Sequence, residues 1–212
     1  MNTPDTPLIS IVDDDPTLRD DLRRLLESVG LRAQAFDGLD SFLSSHRPEQ
    51  PGCLILDIHI AGCQGEGAQQ CLRHRKIELP VIMTASRCDI ETVVTVMKQG
   101  ALDFIEKPFN EQLLLDSVHH AITEDQNRRR AQAWRQDLLG RFDTLTPREQ
   151  DVLRWVAEGL SNREIAETLN LSRKTVEIHR AKVMQKMRAE TLSRLIQMAM
   201  VLGILKLYDP ES

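Results

Sequence analysis

Five short apolar runs, Leu8–Val12, Ala33–Phe36, Cys53–Leu56, Pro80–Met83 and Asp103–Ile105, alternate with amphipathic stretches near residues 16–29, 38–45, 65–76 and 90–99. Strands alternating with helices predict a parallel sheet covered on both faces and joined by right-handed crossovers. The first half is therefore read as an α/β domain, a doubly wound five-stranded parallel sheet with strand order 2-1-3-4-5. A fifth helix is expected from about Asn110 to about Leu139, because the stretch has no Pro and no Gly before Gly140. After Gly140 only helices are expected, and each start carries a cap signal. Thr146-Pro-Arg-Glu149 and Ser161-Asn-Arg-Glu164 are capping boxes, Ser172 opens a third helix and Thr191 a fourth, with Gly159 and Asn170 as C-cap candidates. The expected boundaries are 1–124 for the α/β domain, 125–141 for a helical linker and 142–212 for an all-α four-helix domain.

Charge divides the same way. Residues 1–124 hold 11 Lys and Arg against 20 Asp and Glu, whereas residues 125–212 hold 16 against 12. An acidic front and a basic back point to different partners, the back one polyanionic. With 41% apolar and 28% charged residues, the composition excludes collagen-like and wholly disordered chains. The longest apolar run, Met198–Leu205, is 8 residues interrupted by Gly203, against the roughly 20 a membrane helix requires. No membrane partner and a cytoplasmic location are expected, with no secretory signal visible at the N-terminus. Cys53, Cys63, Cys71 and Cys88 have no metal-ligand spacing and are expected to be reduced.

Chemistry is concentrated at the strand ends. Ile9-Ser-Ile-Val12 runs into Asp13-Asp14-Asp15, and Cys53-Leu-Ile-Leu56 into Asp57. In a 2-1-3-4-5 sheet the first and third strands are neighbours with a crevice beyond their carboxyl ends, so Asp13, Asp14 and Asp57 are expected to converge. Clustered hard oxygen ligands suit Mg²⁺ and a phosphate oxygen. Thr84 ends the fourth strand, where its hydroxyl could bond a phosphoryl oxygen, and Lys107 follows the fifth, where its ammonium could neutralise one. Together these groups suit phosphoryl transfer to a carboxylate.

Val12-Asp-Asp-Asp, Leu56-Asp57, Thr84-Ala85 and Phe104-Ile-Glu-Lys107-Pro108-Phe109 resemble the receiver domain of two-component response regulators over about residues 7–124. The resemblance implies that Asp57 is the phosphoacceptor, Asp14 a direct Mg²⁺ ligand, Asp13 a water-mediated one and the His59 carbonyl a third. It makes Thr84 and Phe104 a switch pair and Lys107-Pro108 a cis peptide. It also places His59 and Ser86 where residues govern water's access to the phosphoryl group. The sequence departs from the pattern at Ala61, where receivers usually have Pro, and in the glycine-free Thr84-Ala-Ser-Arg87-Cys88-Asp89 loop.

In the helical domain Asn170-Leu-Ser172 is short enough for the turn of a helix-turn-helix. Val176, Val183 and Met187 are expected to face a core made with Leu153, Val156, Ile165, Ala166 and Leu169. From Ser172 to Arg188 six basic residues stand against the single acid Glu177, the charge pattern of a recognition helix. Leu145-Thr-Pro-Arg-Glu-Gln-Asp-Val-Leu, Gly159-Leu-Ser-Asn-Arg-Glu-Ile-Ala and Ser172-Arg-Lys-Thr-Val-Glu-Ile-His-Arg-Ala-Lys-Val-Met are similar to the effector domain of NarL/FixJ-type (LuxR-like) regulators over about residues 142–204. Carried over by position, Glu177, Ile178 and Ala181 would read bases, with Lys182 beside them. Arg173, Lys174, Thr175 and His179 are candidates for phosphate contacts, His179 alternatively a satisfied polar residue at the domain surface. The wide apolar arc of the last helix suggests a dimer contact.

The resemblance implies a DNA-binding transcriptional regulator, phosphorylated on Asp57 by a histidine kinase. Its further partners would be double-stranded promoter DNA, RNA polymerase and, on activation, a second copy of itself. On this reading it is not an enzyme beyond assisting its own Mg²⁺-dependent phosphorylation and dephosphorylation. Two alternatives stand beside it: an aspartyl-phosphate phosphohydrolase, and a receiver with a protein-binding helical output. The first is disfavoured because His59 occupies the position of the general acid such enzymes use.

Overall fold

A computed structural model describes residues 6–61, 67–86 and 89–205. The chain divides into two compact units, Met1–Arg129 and Arg130–Ser212.

The first unit is a parallel sheet of β1 (Leu8–Val12), β2 (Arg32–Phe36), β3 (Gly52–Asp57), β4 (Val81–Ala85) and β5 (Asp103–Glu106), in the order β2-β1-β3-β4-β5. Between strands lie α1 (Pro16–Ser28), α2 (Leu39–Ser45), α3 (Ala68–His74) and α4 (Ile90–Lys98), and α5 (Glu111–Phe142) follows β5. The expected fold class is observed, and β4 runs one residue past Thr84.

Alternation along the strands sorts the core into two layers. Val12, Leu54, Leu56 and Met83 pack with Phe42 of α2 and Leu72 of α3. Ile9, Ile11, Ile55 and Ile82 pack with Leu26 of α1 and Leu114 and Val118 of α5. All six residues of β3 are buried, as a central strand covered on both faces requires. At its start Gly52 adopts φ +153°, and a Cβ there would lie 1.9 Å from the Leu8 carbonyl oxygen; no larger residue fits beside β1.

The second unit holds the last turns of α5 with α6 (Pro147–Ala157), α7 (Asn162–Leu169), α8 (Arg173–Met187) and α9 (Leu192–Val201). Both capping boxes form: in each the N-cap hydroxyl accepts from the main-chain N–H of the Glu three residues on, and the Glu carboxylate accepts from the N-cap N–H. Asn170 ends α7 in the left-handed conformation at φ 52°, leaving a three-residue turn before α8. Val152, Leu153, Ile165, Val176, Val183 and Leu195 form the centre of a core that Leu138 and Trp134 of α5 join. α9 turns Leu195, Met198 and Ala199 inward and leaves Leu192 and Met200 exposed.

Among the described residues no helix is long and apolar enough to cross a membrane. Cys53 is a free, buried thiol, and burial, reinforced by the Asp125 charge, pushes its pKa up to about 12, which makes it a poor nucleophile. Cys71 is disulfide-bonded. This corrects the expectation of four reduced thiols, which rested on compartment alone and held no information on which sulfurs lie close. Cys63 and Cys88 lie outside the described residues.

Candidate functional site

β1 and β3 are register neighbours through Val12 and Leu56, so the residue after each, Asp13 and Asp57, stands at the same end of the sheet. Both side chains are buried, with residue exposures of 2% and 3%. Two adjacent buried carboxylates repel unless a cation lies between them, and Lys107 supplies it. Its Nζ donates to Asp13 Oδ2 at 2.6 Å and also to Asp57 Oδ2. Burial works to lower the ammonium's pKa, yet the hydrogen bonds and charges of the two carboxylates outweigh it and hold Lys107 above its ordinary value. The remaining oxygens are satisfied locally: Asp57 Oδ1 accepts from the His59 N–H at 2.6 Å, and Asp13 Oδ1 from the Asp15 N–H at 3.0 Å. The Lys107 main chain is fixed by a bond to the Ala85 carbonyl at 2.7 Å, and the Lys107–Pro108 peptide is cis.

Thr84 of β4 is the register partner of Asp57. Its hydroxyl is fully buried and has no hydrogen-bond partner among the described residues. Phe104, beside Met83 on β5, is half-buried against the layer that contains Val96 and Met83. His59 and Ser86 are exposed. Asp14, at the bend that follows β1, is exposed as well. Among the described residues no three His, Cys, Asp or Glu side chains stand ready to hold a metal. Ala61 bridges to Gly67, while residues 62–66 and Arg87-Cys88 lie outside the described residues.

In the second unit the inner face of α8 is Val176, Val183 and Met187, all buried. Ser172 caps the helix, its Oγ accepting from the Thr175 N–H at 3.0 Å and lying 2.7 Å from the Thr175 hydroxyl. Arg173, Lys174, Glu177, Ala181 and Lys182 are exposed, and Ile178 exposes 50% of its surface, a high fraction for an aliphatic side chain. Glu177 lies 3.5 Å from Arg173. His179 is half-buried, and its Nδ1 has no partner among the described residues.

Two of the six basic residues are structural rather than free. Lys186 donates to the Thr144 carbonyl at 2.9 Å and to the buried Glu149 carboxylate at 2.6 Å. Arg180 donates to Asn162 Oδ1 at 2.8 Å. The charge count along the helix therefore overstates its free positive surface.

A further group went unread in the sequence. Asp125 of α5 is fully buried and accepts from the Gly52 N–H at 3.0 Å, from Arg128 at 2.5 Å and from Arg129 at 2.6 Å. Its acid-to-Arg spacing of three and four residues was the available signal.

Residues 9–119 match the family described as Response regulator receiver domain, and residues 143–199 match Bacterial regulatory proteins, luxR family. Nodulation protein W of Bradyrhizobium diazoefficiens is 42% identical over 197 residues, covering 93% of this chain and 87% of that protein. The transcriptional regulatory protein FixJ of the same organism is 34% identical, covering 93% of this chain and 96% of that one. The solved structure of the response regulator StyR superposes with a TM-score of 0.79 at 37% identity, covering 92% of this chain and 98% of that one. With both of its domains matched and such relatives over nearly its whole length, the chain belongs to the NarL/FixJ-type response regulators, DNA-binding transcription regulators of two-component systems.

Proposed function

We propose that Asp57 is the phosphoacceptor and that its phosphorylation by a histidine kinase controls promoter binding by α8. The observation that carries this reading is the single Lys107 ammonium shared by two buried carboxylates, Asp13 and Asp57. In the transfer a carboxylate oxygen of Asp57 bonds to phosphorus as the phosphorus–nitrogen bond of the kinase phosphohistidine breaks, and the freed imidazole takes a proton. Lys107 then neutralises a phosphoryl oxygen in place of a carboxylate one. The unpartnered Thr84 hydroxyl gains an acceptor, and half-buried Phe104 follows it inward.

The donor set fits Mg²⁺, which needs only one or two carboxylates and keeps several waters. Asp13, Asp14, Asp57 and the His59 carbonyl would hold it. Bound there, Mg²⁺ offsets the negative charge on the transferring phosphoryl group. No substrate other than the chain's own Asp57 is assigned, and His59 and Ser86 are proposed to set the lifetime of the acyl phosphate.

Residues 1–124 are taken as the receiver, 125–141 as the helical linker and 142–212 as the effector domain. Arg173, Lys174, Thr175 and His179 are assigned to phosphates, and Glu177, Ile178, Ala181 and Lys182 to base edges. The exposed apolar side chains Ile90, Val94 and Met97 of α4 suit a homodimer contact on activation. RNA polymerase is the further partner, and the cytoplasm, where such kinases present phosphate, is the location.

Intact mass after incubation with a small-molecule phosphodonor tests the reading. One added phosphoryl group is expected in the wild type with Mg²⁺, and none in Asp57→Asn. A wild type unmodified under conditions that phosphorylate another receiver would overturn it.

A further inference from the structure

The receiver holds a polar cavity that shares no residue with the acidic site. It occupies about 450 Å³ between the β1–β2 face, α2 and the loop after α2. Three observations mark it as a built site. Arg32 and Arg47 both line it, and neither has an acid partner among the described residues. Ser10 also lines it, interrupting the otherwise apolar β1; it is 6% exposed and its hydroxyl has no hydrogen-bond partner among the described residues. Packing offers no reason for a hydroxyl at that position.

The third observation is that the wall is fixed. Arg129 donates to the carbonyls of Pro48 and Gln50 at 2.8 and 2.9 Å, and the Gln50 amide donates to the Thr6 carbonyl at 2.7 Å. The loop that carries Arg47 is therefore held in place before anything binds, which removes much of the ordering cost of recognition. His46 on the same wall is held below its ordinary pKa by burial and then by the Arg129 charge, with exposed Glu49 acting against them.

We propose that this cavity binds a small organic oxyanion of metabolite size, a carboxylate or a phosphate ester. Arg32 and Arg47 grip the oxyanion and Ser10 donates to it. The planar guanidinium fork matches both groups, and the volume lies within the range of small-molecule sites. Phe36, Phe42 and Leu8 supply a short apolar floor for a carbon skeleton.

Nuclear magnetic resonance of the ¹⁵N-labelled full chain in metal-free buffer tests the proposal, with citrate, ribose 5-phosphate and neutral ribose as probes. Citrate, ribose 5-phosphate or both are expected to give saturable shifts at Ser10, Arg32–Phe36 and Ser45–Gln50, and ribose none; which anion acts separates carboxylate from phosphate recognition. The double variant Arg32→Gln/Arg47→Gln is expected to bind at least about tenfold more weakly, the loss of one charged hydrogen bond or more. Asp57→Asn should bind as the wild type does. The exposed-loop variant Arg47→Gln alone keeps the test open if the double variant misfolds. Absence of saturable shifts with both anions at millimolar concentration, undiminished affinity in the arginine variants, or shifts centred on Asp13 and Lys107 would each overturn it.

Discussion

Asp57 and Thr84 face one another across β3 and β4, and the threonine hydroxyl beside the proposed acceptor is buried without a partner among the described residues. A buried hydroxyl left unsatisfied costs about 1–3 kcal/mol, so Thr84 is a position where stability is given up in the unphosphorylated chain. Thr84→Val replaces the hydroxyl by a methyl group. It is expected to stabilise the receiver by about 1 kcal/mol in urea unfolding. Phosphodonor treatment should then raise promoter affinity less than in the wild type. A destabilised variant with an undiminished response would assign the hydroxyl no part in the switch.

Lys107 bridges Asp13 and Asp57, and its removal leaves two like charges adjacent and buried. Lys107→Met is expected to lose about 3–5 kcal/mol of receiver stability in metal-free buffer. Mg²⁺ should restore part of that loss and raise the melting temperature more in the variant than in the wild type, since a ligand that binds only the folded state stabilises it. Calorimetry of both proteins with and without Mg²⁺ checks this. Equal Mg²⁺ effects would mean that the cation does not bind at these carboxylates.

The Lys186–Glu149 pair gives the effector domain its own acid sensitivity. Glu149 is 2% exposed. Burial pushes its pKa up, but the hydrogen bond from Lys186, the Thr146 N–H and the lysine charge outweigh burial and hold it below its ordinary value. A depressed folded-state pKa contributes stability that is present above the unfolded value of about 4.5 and is lost as pH falls through the folded value. In Lys186→Met only burial and the cap remain, so the variant should lose about 1.5–3 kcal/mol at neutral pH, the scale of a hydrogen bond to a charged group from a donor partly open to solvent, and the difference from wild type should shrink on acidification. Trp134 and Trp155 both pack against this core, so tryptophan fluorescence in the full chain reports the transition.

The sheet and the strand-end acids were legible because a buried parallel strand is a continuous apolar run, and the first polar residue after it marks the crevice. The exposure of Asp14 was not legible, because three consecutive acids look alike until the bend after β1 separates them. The roles of Lys186 and Arg180 were hidden for a different reason. Their partners, Glu149 and Asn162, lie 37 and 18 residues away on other helices, and a charge count along one helix cannot see across to them. Asp125 reads as part of a solvated linker, while the contact that buries it, the Gly52 N–H, is 73 residues distant. Local spacing revealed caps and strand ends; long-range pairings emerged only with the fold.

The division of α8 proposed above, between residues that position on phosphates and residues that read bases, is one that two substitutions can expose. Lys174 is exposed, with no acid partner among the described residues, whereas Ile178 is an aliphatic side chain half out in solvent. Lys174→Ala is expected to weaken binding to all duplexes alike and to lower the salt slope by about one. Ile178→Ala should leave the salt slope unchanged and reduce discrimination at one base pair by about 1–3 kcal/mol. Titrations of specific and scrambled duplexes at several salt concentrations distinguish the two. If Ile178→Ala weakens both duplexes equally, its exposed surface belongs to another contact, and base reading falls to Glu177, whose carboxylate must first leave the Arg173 guanidinium 3.5 Å away. Arg173→Ala should then sharpen discrimination even as it lowers affinity, because it frees the carboxylate to accept from a cytosine amino group while removing one phosphate contact.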